Sequence, residues 1–213
     1  MSKYNYPADY DIYYPGSSIP KNTKKIKDIS ELQVFDKALL LKAYYNFTRD
    51  LSKKTIFDEK YFVNLHKQSF QKLYSFAGKY RNQDVSKGDT IFCKAIFIKD
   101  QMGNLFENFR KEKYLKNYSD LPKEDFADKI SFYMGELIAI HPFYEFNGRL
   151  IRLFFDLIAY YNGYNYIDYI KYKHTGELNS FIEASINVVQ NNNYELLKNI
   201  IFTGLKSRNI YEL

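Results

Sequence analysis

Tryptophan is absent from this chain of 213 residues, and cysteine occurs once, at Cys93. A single cysteine excludes an intramolecular disulfide and a zinc cluster built from several cysteines, and it favours a reducing compartment. The sequence also lacks apolar runs of about 18 residues, which a membrane-spanning helix needs. The first residues lack the apolar core of a signal peptide. We therefore expect a cytoplasmic protein that makes no membrane contact.

The basic charge of the chain comes mostly from lysine. Of 31 basic residues 25 are lysine, and 25 acidic residues leave a formal net charge of +6. The lysines are dispersed, and no nucleic-acid recognition motif accompanies them. An amino-acid bias of the proteome therefore explains the charge better than a nucleic-acid surface, and we expect no direct nucleic-acid binding.

Helical periodicity dominates the sequence from residue 30 onward. Ser30 is a candidate N-cap of a first helix, Asp58 is a candidate N-cap of a second helix that Gly78 ends, and Pro122 opens a further helix in its first turn. The strongly apolar run 150–161 predicts a central buried helix.

Two more helices are expected near the C-terminus, one starting at Thr175 or Gly176 and the last capped by Asn192 or Asn193. About eight helices in all predict a mainly α fold. We divide the chain into an N-terminal extension, residues 1–30, and one domain, residues 31–213, with a hairpin near 79–98.

This hairpin is the one predicted β element. Two extended runs flank Ser86-Lys87-Gly88-Asp89, which has the composition of a tight turn. Five basic and two acidic residues in 79–99 give the segment a charge of +3. An isolated hairpin adds little stability to a helical protein, so we interpret it as a functional appendage.

The segment 141–152 carries the candidate chemistry. Pro142 breaks the preceding helix, which leaves His141 at a helix end or in a loop, and Asn147-Gly148 is a turn placed directly before the apolar helix. A turn that leads into a helix presents free backbone N–H groups, and such groups bind anions.

Four side chains around this turn suit phosphate chemistry. Histidine is the usual base near neutral pH, and a single carboxylate such as Glu145 suits Mg²⁺, which completes its shell with phosphate oxygens and water. Arg149 and Arg152 lie three residues apart in the predicted first turn, and guanidinium groups bind phosphate oxygens in pairs. The alternative is a plain helix connection in which His141 is a hydrogen-bonded core residue.

The segment resembles the motif of the Fic family, His-Pro-Phe-x-Asp/Glu-Gly-Asn-Gly/Lys-Arg with a further Arg three residues later. The matching positions are His141, Pro142, Phe143, Glu145, Asn147, Gly148, Arg149 and Arg152. Two other stretches resemble the family as well: Tyr14-Pro-Gly with Lys21-Asn22, and 76–93 with the family's hairpin, called the flap.

The resemblance implies a Fic-type helical bundle and the transfer of AMP from ATP to a Ser, Thr or Tyr hydroxyl of a target protein. It assigns His141 as general base and Glu145 as the Mg²⁺ ligand. The implied nucleotide-binding residues are Phe146, Asn147, Gly148, Arg149 and Arg152, with the Asn147 side chain as an extra donor in the anion hole. The flap residues implied to hold the target by strand addition are Asn82, Gln83, Asp84, Val85, Ser86, Lys87 and Gly88.

Phe146 departs from the family pattern, which has glycine at this position. A phenylalanine forced to positive φ costs about 1 kcal/mol or more, and its ring either strains the loop or forms a wall of the site. The rate and the choice of nucleotide therefore remain open. Transfer of UMP, phosphocholine or phosphate, and a catalytically weak interaction module, are the alternatives.

The inhibitory-helix pattern of many family members, Ser/Thr-x-x-x-Glu-Gly/Asn, is absent, because Lys60 follows Glu59 in the nearest stretch. The resemblance then implies a small separate antitoxin that supplies an inhibitory glutamate, and a type II topoisomerase as the target. The remaining histidines, His66 and His174, are interpreted as structural.

Overall fold

The computed structural model describes residues 4–7, 12–172 and 179–208. Within these ranges the chain forms seven α-helices and one two-stranded sheet, which confirms the mainly α fold class. The helices are α1 Ile29–Arg49, α2 Glu59–Phe70, α3 Ile98–Lys111, α4 Lys123–Ile140, α5 Asn147–Tyr161, α6 Ser180–Asn191 and α7 Glu195–Gly204. None of the helices in the described ranges is long and apolar enough to cross a membrane.

The central helix is α5. It starts at Asn147, three residues before the predicted apolar run, and almost all of its side chains beyond the first turn are buried. Around it pack α1, α2 and α4, and α4 in turn carries α3, α6 and α7 on its other faces. Phe154 of α5 lies at the centre of an aromatic cluster with Phe57, Phe62, Phe106 and Phe109. This packing fixes α5 in the core, and with it the helix that follows the motif loop.

Several predicted helix boundaries shift. The first helix is capped by Asp28, whose side chain accepts from the amide of Glu31, so the assignment of the cap to Ser30 was wrong. Asp58 does cap α2, as predicted, but that helix ends at Phe70 and not at Gly78. Pro122 is the N-cap residue of α4, one position before the predicted first turn.

The C-terminal boundaries differ too. A start at Thr175 or Gly176, like His174, lies outside the described residues, and α6 begins at Ser180 with the Asn179 side chain as its cap. Helix α7 begins at Glu195 with Tyr194 as its N-cap residue, so the assignment of the cap to Asn192 or Asn193 was wrong, although the Asn193 side chain accepts from the amide of Glu195. A polar residue just before the helix thus satisfies one of its first amides.

The hairpin is shorter than its extended sequence suggested. Strand β1 Ser86–Lys87 pairs antiparallel with β2 Thr90–Ile91, and Gly88 in the turn has φ 57°. The turn is Gly88-Asp89, within the predicted stretch, whereas Ser86 and Lys87 form β1. Hydrogen bonds from Arg81 and Cys93 attach the two ends of the hairpin to the end of α4.

Candidate functional site

His141 ends α4 in the left-handed conformation, with φ 49°, because Pro142 prevents the helix from continuing. Its Nδ1 lies 3.2 Å from the carbonyl oxygen of Ile138 and its Nε2 lies 2.9 Å from the hydroxyl of Tyr4. A carbonyl only accepts, so Nδ1 carries the hydrogen and Nε2 presents its lone pair. The ring stacks on Phe92 at 3.8 Å, and burial lowers the pKa of His141 to about 3. The imidazole is therefore neutral near pH 7 and able to accept a proton at Nε2.

Glu145 lies in the loop between α4 and α5. Burial raises the pKa of its carboxyl to about 7, against the hydrogen bond from Tyr13 and the positive charges of Arg149 and Lys87. The Tyr13 hydroxyl donates to Glu145 Oε1 at 2.5 Å. Among the described residues no group of three or more His, Cys, Asp or Glu side chains gathers to hold a metal ion. A cation here would thus have Glu145 as its one acidic ligand and would take the rest from phosphate and water.

Phe146 precedes α5 with φ 69° and ψ 6°, a left-handed conformation that favours glycine, the residue in the family pattern at this position. Its ring is buried, stacks on Phe70 at 4.1 Å and touches Tyr74 at 4.9 Å. The guanidinium of Arg149 lies over the other side of the ring, 4.2 Å from the centroid. Backbone strain and a packed wall, which the sequence presented as alternatives, therefore occur together at this residue.

The first amides of α5 form the candidate anion hole, because the first amides of a helix have no partner inside it. A Cβ added to Gly148 would meet nothing within 4 Å, so a ligand can approach this backbone closely. The Asn147 side chain, expected to add a donor to the anion hole, makes two hydrogen bonds within the loop. Fully buried, it accepts from the amide of Phe143 at 2.8 Å and donates to the carbonyl of the same residue at 2.7 Å. It fixes the loop from which the helix starts.

The two arginines face different surroundings. Arg149 lies 3.6 Å from the carboxylate of Asp36 on α1, and this carboxylate also accepts from the Tyr74 hydroxyl at 2.8 Å. Arg152 falls in the second turn of α5, not the first, and lies over the rings of Tyr169 and Phe181. Asp36 thus positions one of the two candidate phosphate ligands, and the sequence contained no local sign of this.

His66 was expected to be structural, and it is fully buried behind the motif. The Gly78 amide donates to its Nδ1 at 2.8 Å, so Nε2 carries the hydrogen and donates to the carbonyl of Glu145 at 3.1 Å. The ring stacks on Phe143 at 3.9 Å, and burial lowers its pKa to about 4. His66 thereby holds the loop that presents Glu145.

Arg81 joins the hairpin to the motif. Its buried guanidinium donates to the main-chain carbonyls of His141 at 2.8 Å, Gln83 at 2.7 Å and Ile140 at 3.2 Å, and it also donates to the carbonyl of Cys93. The Arg81 amide donates to the Pro142 carbonyl at 2.9 Å. One side chain therefore fixes both ends of the hairpin to the end of α4.

The predicted flap residues divide into anchors and an edge. The anchors are Asn82, which bonds to the Tyr144 hydroxyl, Gln83, Asp84, which accepts from the Ala95 amide, and Val85, which is buried. Ser86, Lys87 and Gly88 form the strand and turn. The outer edge of β1 pairs with Asn5, which gives Ser86 two main-chain hydrogen bonds of 2.9 and 3.1 Å. The structure thus brings the hairpin edge, His141, Glu145 and the start of α5 together on one side of the molecule.

Three comparisons with known proteins agree with this architecture. The model of the Fic/DOC family matches residues 56–159. A probable protein adenylyltransferase of Sinorhizobium fredii is 30% identical over 164 residues, which are 77% of this chain and 82% of that protein. A probable protein adenylyltransferase Fic of Escherichia coli is 28% identical over 151 residues, 71% of this chain and 72% of that protein.

Among solved structures, the Bartonella tribocorum effector protein BepC, crystallised with AMPPNP, matches with a TM-score of 0.77. At 22% identity the alignment covers 93% of this chain and 97% of BepC, which shows a shared fold. The names of the curated relatives confirm, at the level of the family, the expected enzyme class of protein adenylyltransferases. Sequence, fold and motif agree: this chain belongs to the Fic/DOC family.

Proposed function

We propose that the chain transfers AMP from ATP to a hydroxyl side chain of a target protein, with His141 as the general base. The observation that carries this proposal is the Tyr4 hydroxyl, whose oxygen lies 2.9 Å from Nε2 of His141, the nitrogen that presents its lone pair. This pair lies beside the start of α5. A base must lie within hydrogen-bond distance of the proton it removes and must be unprotonated at the working pH. His141 meets both requirements.

The start of α5 is the proposed binding site for the phosphates of ATP. The amides of Asn147 and Gly148 offer hydrogen bonds, and the guanidinium groups of Arg149 and Arg152 offer positive charge to the departing pyrophosphate. Phosphoryl transfer depends mainly on positioning and on stabilising charge. The packing of Phe146 and the pairing of Arg149 with Asp36 supply the positioning.

Glu145 is the proposed ligand of a Mg²⁺ ion that enters with the nucleotide. A site with one carboxylate fits Mg²⁺, which prefers to complete its shell with phosphate and water. When bound, the ion would neutralise charge on the phosphates. The Tyr13 hydroxyl occupies one lone pair of Glu145 Oε1, and the carboxylate keeps further lone pairs, including those of Oε2, for a metal.

Labelling of a cell lysate tests the function. The purified chain is incubated with lysate and with ATP labelled at the α-phosphate, and labelled proteins are identified by mass spectrometry. We expect AMP on hydroxyl side chains, lost in His141→Asn and lost when Mg²⁺ is chelated. Asparagine tolerates positive φ, so this variant removes the base and leaves the turn at residue 141 intact.

The same experiment separates the alternatives. Proteins labelled by ATP that carries its label at the γ-phosphate would indicate transfer of phosphate. Proteins labelled by UTP or by CDP-choline would indicate transfer of UMP or of phosphocholine. If the chain bound ATP and Mg²⁺ at equilibrium but no protein became labelled, the result would indicate an interaction module and would contradict the proposed activity.

The proposed partners are a target protein, with a type II topoisomerase as the first purified candidate, and a small antitoxin. The antitoxin would place a glutamate on Arg152, where a charge-assisted hydrogen bond competes with the γ-phosphate. Co-expression with such a partner should suppress labelling, and a Glu→Gly change in the partner should restore it. Suppression that survives this change would contradict the assigned contact.

A further inference from the structure

A short N-terminal segment, residues 4–6, lies along the outer edge of β1. Asn5 donates its amide to the Ser86 carbonyl at 2.9 Å and accepts from the Ser86 amide at 3.1 Å. The pair is antiparallel and lies on the edge that β2 leaves open. A segment of the chain itself therefore makes the strand addition that was predicted for a target.

Tyr4, next to this pair, reaches into the site. Its side chain is buried, with 8% of its surface exposed, and packs edge-on against Phe92 and against the ring of His141, with Lys87 Nζ over its face at 5.1 Å. Its hydroxyl donates to His141 Nε2, since the hydrogen of this imidazole is on Nδ1. The Tyr4 hydroxyl thus points its hydrogen at Nε2, the atom that would remove the proton.

The same segment is tied to the phosphate-binding part of the site. The Tyr4 amide donates to the Tyr13 hydroxyl at 3.2 Å, and that hydroxyl donates to Glu145 Oε1 at 2.5 Å. Tyr4 is therefore fixed with respect to His141 by its side chain and with respect to Glu145 by its backbone.

We propose that Tyr4 is an acceptor of AMP within its own chain. This inference rests on the proposed adenylyltransferase function. The Tyr4 oxygen forms a bond to the α-phosphorus of ATP, the bond from that phosphorus to the oxygen bridging to the β-phosphate breaks, and pyrophosphate leaves with the electron pair. The hydroxyl proton passes to His141 Nε2. The product is an AMP ester on the Tyr4 side chain.

The test uses the full chain with Mg²⁺ and ATP labelled at the α-phosphate, without added target. We expect a mass increase of one AMP, located on Tyr4 by peptide fragmentation, at a rate that is independent of protein concentration. Tyr4→Phe should lower the self-labelling at least tenfold. The matched control is Tyr6→Phe in the same segment, whose hydroxyl donates to the Tyr144 carbonyl and not to His141, and which should keep its label. Thermal unfolding of both variants checks that they fold.

A parallel incubation with lysate separates failure of this inference from failure of the proposed function. Labelled lysate proteins without AMP on Tyr4 would overturn the acceptor assignment alone. If, in addition, the Tyr4→Phe variant labelled lysate proteins faster than the parent, residues 4–6 would block the site and Tyr4 would not be an acceptor. A self-labelling rate that grows with protein concentration would refute transfer within one chain. If neither lysate nor chain were labelled, the proposed function would fail, and this inference with it.

Discussion

The two halves of the site are built in different ways. The phosphate side, which is α5 with the side chains packed on Phe146 and Arg149, rests on buried aromatic and charged contacts that reach into the core. The acceptor side, which is the hairpin with residues 4–6, rests on two-residue strands, main-chain hydrogen bonds and a small buried cluster of Tyr4, Val85 and Phe92. His141 lies between them. The difference suggests that substitutions on the phosphate side change folding and catalysis together, whereas those on the acceptor side change which hydroxyl is presented.

The largest effect is expected at the residue that both sides share. His141→Ala and His141→Asn should lower the rate of AMP transfer by about 10² to 10⁴, because a general base is lost. ATP affinity should stay within about twofold of the parent, because the imidazole acts on the hydroxyl proton and not on the phosphates. Single-turnover labelling and equilibrium dialysis measure the two quantities. An equal loss of both would assign His141 to nucleotide binding.

A pH-dependent effect is expected on the phosphate side from Asp156 of α5. Burial raises the pKa of its carboxyl to about 6, although Tyr44 donates to it at 2.6 Å and the Ile167 amide at 3.0 Å. Since the folded pKa exceeds the ordinary value of 3.8, the group contributes stability below pH 4 that is lost as the pH rises through 6. The size of this loss is at most about 3 kcal/mol.

The matched variant is Asp156→Asn, which cannot titrate. Between pH 4 and pH 7 the free energy of unfolding of the parent should fall relative to that of the variant, and denaturant titrations at three pH values measure this. Parallel curves would contradict the raised pKa.

Phe146→Gly tests whether strain or packing dominates at the start of α5. Glycine relieves about 1 kcal/mol of backbone strain, but removal of a buried phenylalanine ring costs about 3 to 5 kcal/mol. We expect a net loss of about 2 to 4 kcal/mol in the free energy of unfolding. Transfer should also slow severalfold, since Arg149 loses the ring beneath its guanidinium. Chemical denaturation and labelling kinetics measure these effects, and a faster variant of unchanged stability would show that strain dominates.

The smallest effect is expected on the acceptor side from Ser86→Pro. Proline removes the amide that donates to Asn5, and one main-chain hydrogen bond contributes about 1 kcal/mol, or about fivefold in occupancy of the edge. The rates at which a protein target and Tyr4 are labelled should both change, whereas the affinity for ATP should stay the same. Ser86→Ala, which keeps the amide, is the control. If ATP binding fell as well, the two halves of the site would not be independent.

The sequence predicted the elements whose signal is local. Asp58 caps its helix because its side chain reaches an amide three residues on, and α5 is central because its apolar residues are nearly continuous. The motif also revealed His141, Glu145 and the arginines. The positive φ of Phe146 could be suspected, because glycine is usual at that position.

The residues that support the site were missed, because their contacts join distant parts of the chain. Tyr4 and His141 are 137 positions apart, and Arg81 and His141 are 60 positions apart. No periodicity or cap signals such a pair. Asp36 looks like one more polar residue of an amphipathic helix, and only the packing of α1 on α5 brings it to Arg149. Arg81 lies in the stretch that resembles the family's flap and is one of six arginines in the chain, but neither sign predicted its contact with His141.

Arg81 makes the hairpin exchangeable. Its guanidinium recognises four carbonyl oxygens of the backbone, which every amino acid supplies, so this part of the hold on the hairpin does not depend on side chains. The buried Thr90 side chain adds a second hold, because it accepts from Gln190 of α6 at 3.2 Å. Residues 86–89 can therefore be exchanged for another sequence of equal length while Thr90 stays in place and the end of α4 keeps its shape. On the proposed role of the hairpin edge, grafting this turn from other family members should change which targets are labelled and leave the binding of ATP unchanged.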